Sequence, residues 1–232
     1  MMVKIFKIIY REVNGLNQAV YILALFTIGS QLLALIRDRL LANKFGAGIE
    51  IDLYYAAFQI PDLLFVLFAS TLSVYVLIPF VADRIKGSDA TRARLLLSHI
   101  FSLFLVIYTV IAFLLLLSTP YLIKVLFPGL SEHKDTLILL TRILLLQPLF
   151  LGISSLFGVV TQLNKRFIVH ALGPIIYNFG IISGIIFLFP FFGLPGLTIG
   201  VVLGAIGHLL IQIPFVHGNK LAPTPTNSID VG

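Results

Sequence analysis

"LNQAVYILALFTIGSQLLALIRDRLLANKFGAGIEID", residues 16–52, is the stretch that decides the fold. Residues 16–36 carry no charged side chain. As a helix rising about 1.5 Å per residue they span roughly 30 Å, the thickness of a bilayer's hydrocarbon core. Directly after them come Arg37, Asp38, Arg39, Lys44, Glu50 and Asp52. Only 11% of the chain is charged, so this local cluster asks for a reason.

Working outward, the whole chain shares the apolar character of that first run. Hydrophobic residues make up 59% of it and the mean hydropathy is +1.05. A soluble domain is about 45–50% apolar and about 25% charged. There are too few charges here to cover a globule in water, so the sequence predicts an all-α integral membrane protein. Six stretches are long and apolar enough to cross, at about 16–36, 53–81, 95–118, 137–161, 167–189 and 194–216. Barrel strands would alternate polar and apolar residues, and these do not.

The net charge of +6 is therefore read as a topology signal, with no nucleic-acid partner expected. With the N-terminus in the cytoplasm, ten of the sixteen basic residues lie on the cytoplasmic side: Lys4, Lys7, Arg11, Arg84, Lys86, Arg92, Arg94, Lys165, Arg166 and Lys220. The expected arrangement is N-in, C-in. Residues 1–217 form one six-helix bundle, whose short basic segment, about 1–15, is either an interfacial helix or a frayed cytoplasmic tail. No small-residue cleavage site marks that segment as a signal peptide. Residues 218–232 are a polar cytoplasmic tail or a point of truncation.

Arg37, Arg39 and Lys44 fall on the outer side, against the topology signal. Two readings stay open. In one, Asp52 sits favourably at the start of the second helix, Arg37 or Arg39 snorkels to the interface and Asp38 pairs locally. In the other, these groups face a water-filled cavity and bind an anionic headgroup, because intramembrane charge is costly and arginine forks suit phosphate oxygens. By helical periodicity Arg37 shares a face with Leu41, while Asp38 and Arg39 point elsewhere.

The second span, "FQIPDLLFVLFASTLSVYVLIPF" (58–80), adds Pro61, expected to kink or break the helix, and Asp62 directly after it. Both are candidates for lining or gating a path, as is Arg142 near the start of the fourth span. Gln147-Pro148 and Gly173-Pro174 mark expected kinks, and Asn178 is expected to bond across helices. Tyr54 and Tyr55 read as an interfacial aromatic anchor rather than a stacking platform. His99 and His208 read as hydrogen-bonding residues between helices rather than a proton relay. Gly196, Gly200, Gly204 and Gly207 make a small-residue face for close packing. The absence of cysteine excludes disulfides and thiolate chemistry. No nucleotide-binding loop, metal-ligand cluster or nucleophile–base pair is found, so neither cofactor, metal nor enzymatic activity is expected.

Taken together, "SQLLALIRDRLLANKFGAGIEIDLYYAAFQIPDLLFVLFASTLSVYVLIPFVADR" (30–84) resembles the N-terminal region of the MurJ/MviN lipid II flippase family. The shared pattern is Arg37-Asp38, Phe45-Gly46-Ala47-Gly48, Asp52, Phe58, Pro61, Leu63-Leu64, Phe68, Ala69 and Pro79. Weaker similarity runs through "LNKRFIVHALGPIIYN" (163–178) to "IQIPF" (211–215), so the resemblance covers roughly residues 15–217. It implies the N-terminal lobe of a multidrug/oligosaccharidyl-lipid/polysaccharide exporter, which moves a lipid-linked peptidoglycan precursor between leaflets by alternating access. It further implies substrate binding at Arg37, Asp38 and Asp52, with Arg39 nearby as possible cavity lining. The implied partners are the lipid-linked pyrophosphate, membrane lipids and a second helix bundle, whether from a missing half, a separate chain or a second copy. Gln31, Phe65-Val66 and Ser70 stand where the family has charged residues, and Thr71 where it has glycine. These departures keep two alternatives open: a non-transporting scaffold of cell-wall synthesis, or an exporter of another lipid-linked glycan or a small cation.

Overall fold

A computed structural model describes residues 12–13, 15–71, 77–79, 81–83 and 90–226. The basic N-terminal segment and residues 227–232 lie almost entirely outside these, as does the link from the second span to Pro79. Among the described residues six helical segments are long and apolar enough to cross a membrane, and no strand occurs. The helices are α1 (Leu16–Phe45), α2 (Ile49–Thr71), α3 (Ala90–Leu126), α4 (Lys134–Leu144), α5 (Leu146–Leu163), α6 (Phe167–Ser183), α7 (Phe189–Phe192), α8 (Leu194–Leu210) and α9 (Ile213–His217). A 3-10 turn, Pro128–His133, precedes α4, and a π-helical turn, Gly184–Leu188, joins α6 to α7.

The charged stretch is not a loop. The first helix runs on past Ile36 to Phe45, so Arg37, Asp38, Arg39 and Lys44 ride on its last turns. Gly46 ends it at φ 57°, a left-handed conformation that costs glycine little, and its N–H closes onto the Ala42 carbonyl at 2.9 Å. Glu50 and Asp52 then fall in the first turn of α2, where the helix dipole favours negative charge.

Proline interrupts the helix at none of Pro61, Pro120 and Pro174. Helix α2 passes through Pro61 without interruption, and α6 passes through Pro174 in the same way. The fourth span divides instead at Leu145, between α4 and α5 and just ahead of Pro148. There the Tyr108 hydroxyl of α3 donates to the Leu145 carbonyl. A proline removes the N–H that would satisfy a carbonyl one turn earlier, and in hydrocarbon that carbonyl needs another donor. Pro120 of α3 leaves the Leu116 carbonyl in this position. Arg142 answers it, with Nε at 3.3 Å and Nη2 at 3.1 Å. Near the π turn the Phe189 N–H goes to the Gly184 carbonyl and Pro190 has none to give, so the Ile185 carbonyl receives Lys44 Nζ at 3.0 Å. The Lys44 ammonium also lies 4.4 Å from the centre of the Phe189 ring.

Packing is closest between α6 and α8, which run antiparallel. A Cβ on Gly180 would strike the backbone of Gly204, and one on Gly200 would strike Gly184. Gly196 meets the Leu188 carbonyl in the same way. The expected small-residue face is thus used inside the bundle, where it lets backbones touch. Two apolar clusters fill the ends of the bundle. One gathers Leu41, Tyr54, Leu137, Leu140, Leu144 and Leu197; the other gathers Leu64, Leu97, Phe104, Leu156, Val159 and Val160. Leu25, Ile28, Leu32 and Leu35 of α1, with Leu103, Val110, Phe113 and Leu117 of α3, remain exposed, as side chains meeting lipid would be.

Candidate functional site

The end of α1 and the middle of α6 lie side by side, running parallel. Asn178 of α6 is buried and donates through Nδ2 to the Ser30 hydroxyl at 3.2 Å and to the Pro174 carbonyl at 3.0 Å. Its Oδ1 accepts from Arg37 Nη1 at 3.1 Å. On its other side Arg37 donates Nε to Asp38 Oδ1 at 2.8 Å, and Nη2 lies 2.8 Å from the same oxygen. The guanidinium is thus held from both sides. Its side chain is 25% exposed, while the Asp38 side chain is 52% exposed.

These groups wall a cavity of about 330 Å³ between α1, α2, α5 and α6. Arg37 and Asp38 come from α1; Tyr54, Tyr55, Gln59 and Asp62 from α2; Gln147 from α5; Tyr177 from α6. The apolar part of the wall includes Leu41, Phe58 and Ile181. The cavity therefore offers one cation, two carboxylates, several amide and phenol groups and an apolar lining. That mixture suits a polar, hydrogen-bonding head rather than a purely apolar molecule.

The structure brings Arg37, Asp38 and Asp62 together on this cavity and leaves the other proposed site residues off its wall. Asp38 does not point away from Arg37, as periodicity alone suggests; its carboxylate turns back onto the neighbouring guanidinium. Asp52 is exposed and does not line the cavity; the carboxylate beside Arg37 belongs to Asp38. Arg39 is exposed and Pro61 is buried within α2, neither on the wall. Arg142 serves the Leu116 carbonyl instead. Tyr54, expected at the membrane interface, is 3% exposed and packs edge-on to Phe58 inside the bundle.

Reasoning from the sequence passed over Gln59 and Tyr177 and took Gln147 only as a kink marker. Each is a polar group within an apolar span, and that was the available signal. His208 Nδ1 lies 2.6 Å from the Ser154 hydroxyl, which also accepts from Gln212 Nε2, giving a polar link between α5 and α8 away from this cavity. Among the described residues no group of His, Cys, Asp and Glu could hold a metal ion.

Fold and cavity together define a polytopic helical membrane protein with a charged pocket between its helices. The family model described as "Lipid II flippase MurJ" matches residues 41–231. Among curated proteins, the chain is 27% identical to a probable lipid II flippase MurJ of Buchnera aphidicola subsp. Baizongia pistaciae, covering 90% of this chain and 42% of that protein. It is 27% identical to the lipid II flippase MurJ of Burkholderia cenocepacia, over 85% of this chain and 39% of that one. For the probable lipid II flippase MurJ of Haemophilus influenzae the identity is again 27%, over 86% and 41%. The chain belongs to the MurJ family. It spans about two fifths of the length of these curated relatives.

Proposed function

We propose that this chain is the N-terminal lobe of a flippase that carries lipid II, the lipid-linked peptidoglycan precursor, across the bacterial inner membrane. Arg37 is the observation that carries the reading. A guanidinium inside a membrane-spanning helix is costly unless something uses it, and this one is held in place beside an open cavity rather than spent on a backbone carbonyl. In this reading the pyrophosphate meets Arg37, and Asp38 balances its charge when the cavity is empty. A second helix bundle completes the path, and the two lobes rock to expose the cavity to each leaflet in turn. The N-in, C-in orientation follows from the lysines and arginines of the links. Such a protein is a transporter of the cell-wall pathway, not a catalyst.

The test is complementation of a strain depleted of its lipid II flippase, together with an assay of lipid II reaching the outer leaflet. Arg37→Ala is expected to abolish rescue while the protein still inserts at normal levels. Full rescue by that variant would defeat the assignment.

One feature favours the scaffold alternative. Arg37 is the one basic side chain on the cavity wall among the described residues, little positive charge with which to hold a pyrophosphate. A scaffold would show no affinity for a polyprenyl pyrophosphate, and that measurement separates the two readings.

A further inference from the structure

Gln147 sits in the first turn of α5 with 4% of its surface exposed, and it lines the Arg37 cavity. Its Nε2 donates to the Tyr177 hydroxyl at 3.0 Å. Its Oε1 is fully buried and has no hydrogen-bond partner. A buried carbonyl oxygen without a donor costs free energy in the empty protein, so it marks a place where a ligand group gains more than it loses. Tyr177 also lines the cavity. Because its oxygen accepts from Gln147, its own O–H stays free to donate. An acceptor and a donor thus stand next to each other on two residues that line the cavity, the acceptor oxygen itself being buried.

We propose that Gln147 and Tyr177 form a subsite for a sugar hydroxyl on the ligand head, in the same cavity where Arg37 takes the pyrophosphate. A hydroxyl donates and accepts at one atom, which matches a side-by-side acceptor and donor. The subsite gives the cavity a means of telling a sugar-bearing lipid pyrophosphate from the bare one, because a head without the hydroxyl leaves both groups unpaired. The inference rests on the lipid-pyrophosphate reading above.

The experiment uses the full chain in nanodiscs and two probes: undecaprenyl pyrophosphate, and the same lipid carrying one N-acetylhexosamine. The sugar-bearing probe is expected to bind about tenfold more tightly, the effect of one buried hydrogen bond gained. Gln147→Met keeps the volume and removes the acceptor; it should erase the preference between the two probes. Tyr177→Phe should reduce the preference by releasing the Gln147 amide, and it serves if the first variant does not fold. Equal binding of both probes by the unaltered protein, as if only water filled the subsite, overturns this inference and leaves the lipid-pyrophosphate reading standing. A preference that survives both Gln147→Met and Tyr177→Phe overturns it as well. Binding of neither probe overturns both readings.

Discussion

Arg37 Nη1 and Asn178 Oδ1 lie 3.1 Å apart, although 141 residues separate them in the chain. Asn178 is itself fixed by Ser30 and by the Pro174 carbonyl, so the guanidinium is aimed by a side chain that cannot easily turn. This contact holds the Arg37 guanidinium at the cavity wall rather than leaving it a long side chain that reaches for the interface. Arg37→Ala should weaken binding of undecaprenyl pyrophosphate by about 10- to 100-fold, the range for hydrogen bonds to a charged group. Arg37→Lys should recover only part of this, because an ammonium cannot hold Asn178, Asp38 and a phosphate through one planar fork. Equal binding by the lysine variant would show that charge alone matters.

Asp52 gives a contrast. It is exposed at the start of α2 and off the cavity wall. Asp52→Asn should change pyrophosphate affinity by no more than about twofold, the scale of an isolated surface substitution. A larger loss in the same binding assay would place Asp52 at the ligand.

Arg142 and Pro120 form a testable pair. Arg142→Leu strands the Leu116 carbonyl and should destabilise the protein by about 1–3 kcal/mol. Pro120→Ala restores the N–H that α3 lacks, so the double variant should recover most of that loss. Chemical denaturation in detergent reads the cycle. Additive effects would mean that Arg142 stabilises by some other contact.

Lys44 allows the same test at the π turn. Lys44→Met should cost about 1–3 kcal/mol by leaving the Ile185 carbonyl without a donor. Lys44→Arg, which keeps a cation over Phe189, should cost less. If methionine proves neutral in thermal unfolding, the ammonium is not holding the turn.

Gly200 and Gly204 should tolerate no side chain. Gly200→Leu would force α6 and α8 apart and should destabilise by about 1–3 kcal/mol or more. Gly218, with open space around it, should accept alanine with little change in the unfolding midpoint.

Much of this protein was legible in its residues. Apolar runs of bilayer length can be satisfied only as helices, so six spans followed from composition and length. "FGAG" (45–48) announced the end of the first helix because glycine alone adopts such a turn cheaply. The family resemblance singled out Arg37-Asp38, and the small-residue face of α8 announced close packing. The role of each proline was not legible, because its effect depends on whether another helix supplies the missing donor. Arg142 stands beside the Leu116 carbonyl and Lys44 beside that of Ile185, and no local pattern states either pairing. Charge alone did not separate these two cations from Arg37. All three sit in or beside apolar spans, and a sequence gives each the same cost of burial. Tertiary structure decided which meets a backbone oxygen and which meets a cavity, because that depends on what the neighbouring helix presents. It also brought Gln147 and Tyr177 to the wall beside Arg37, since a pocket exists only where helices distant in the chain come together.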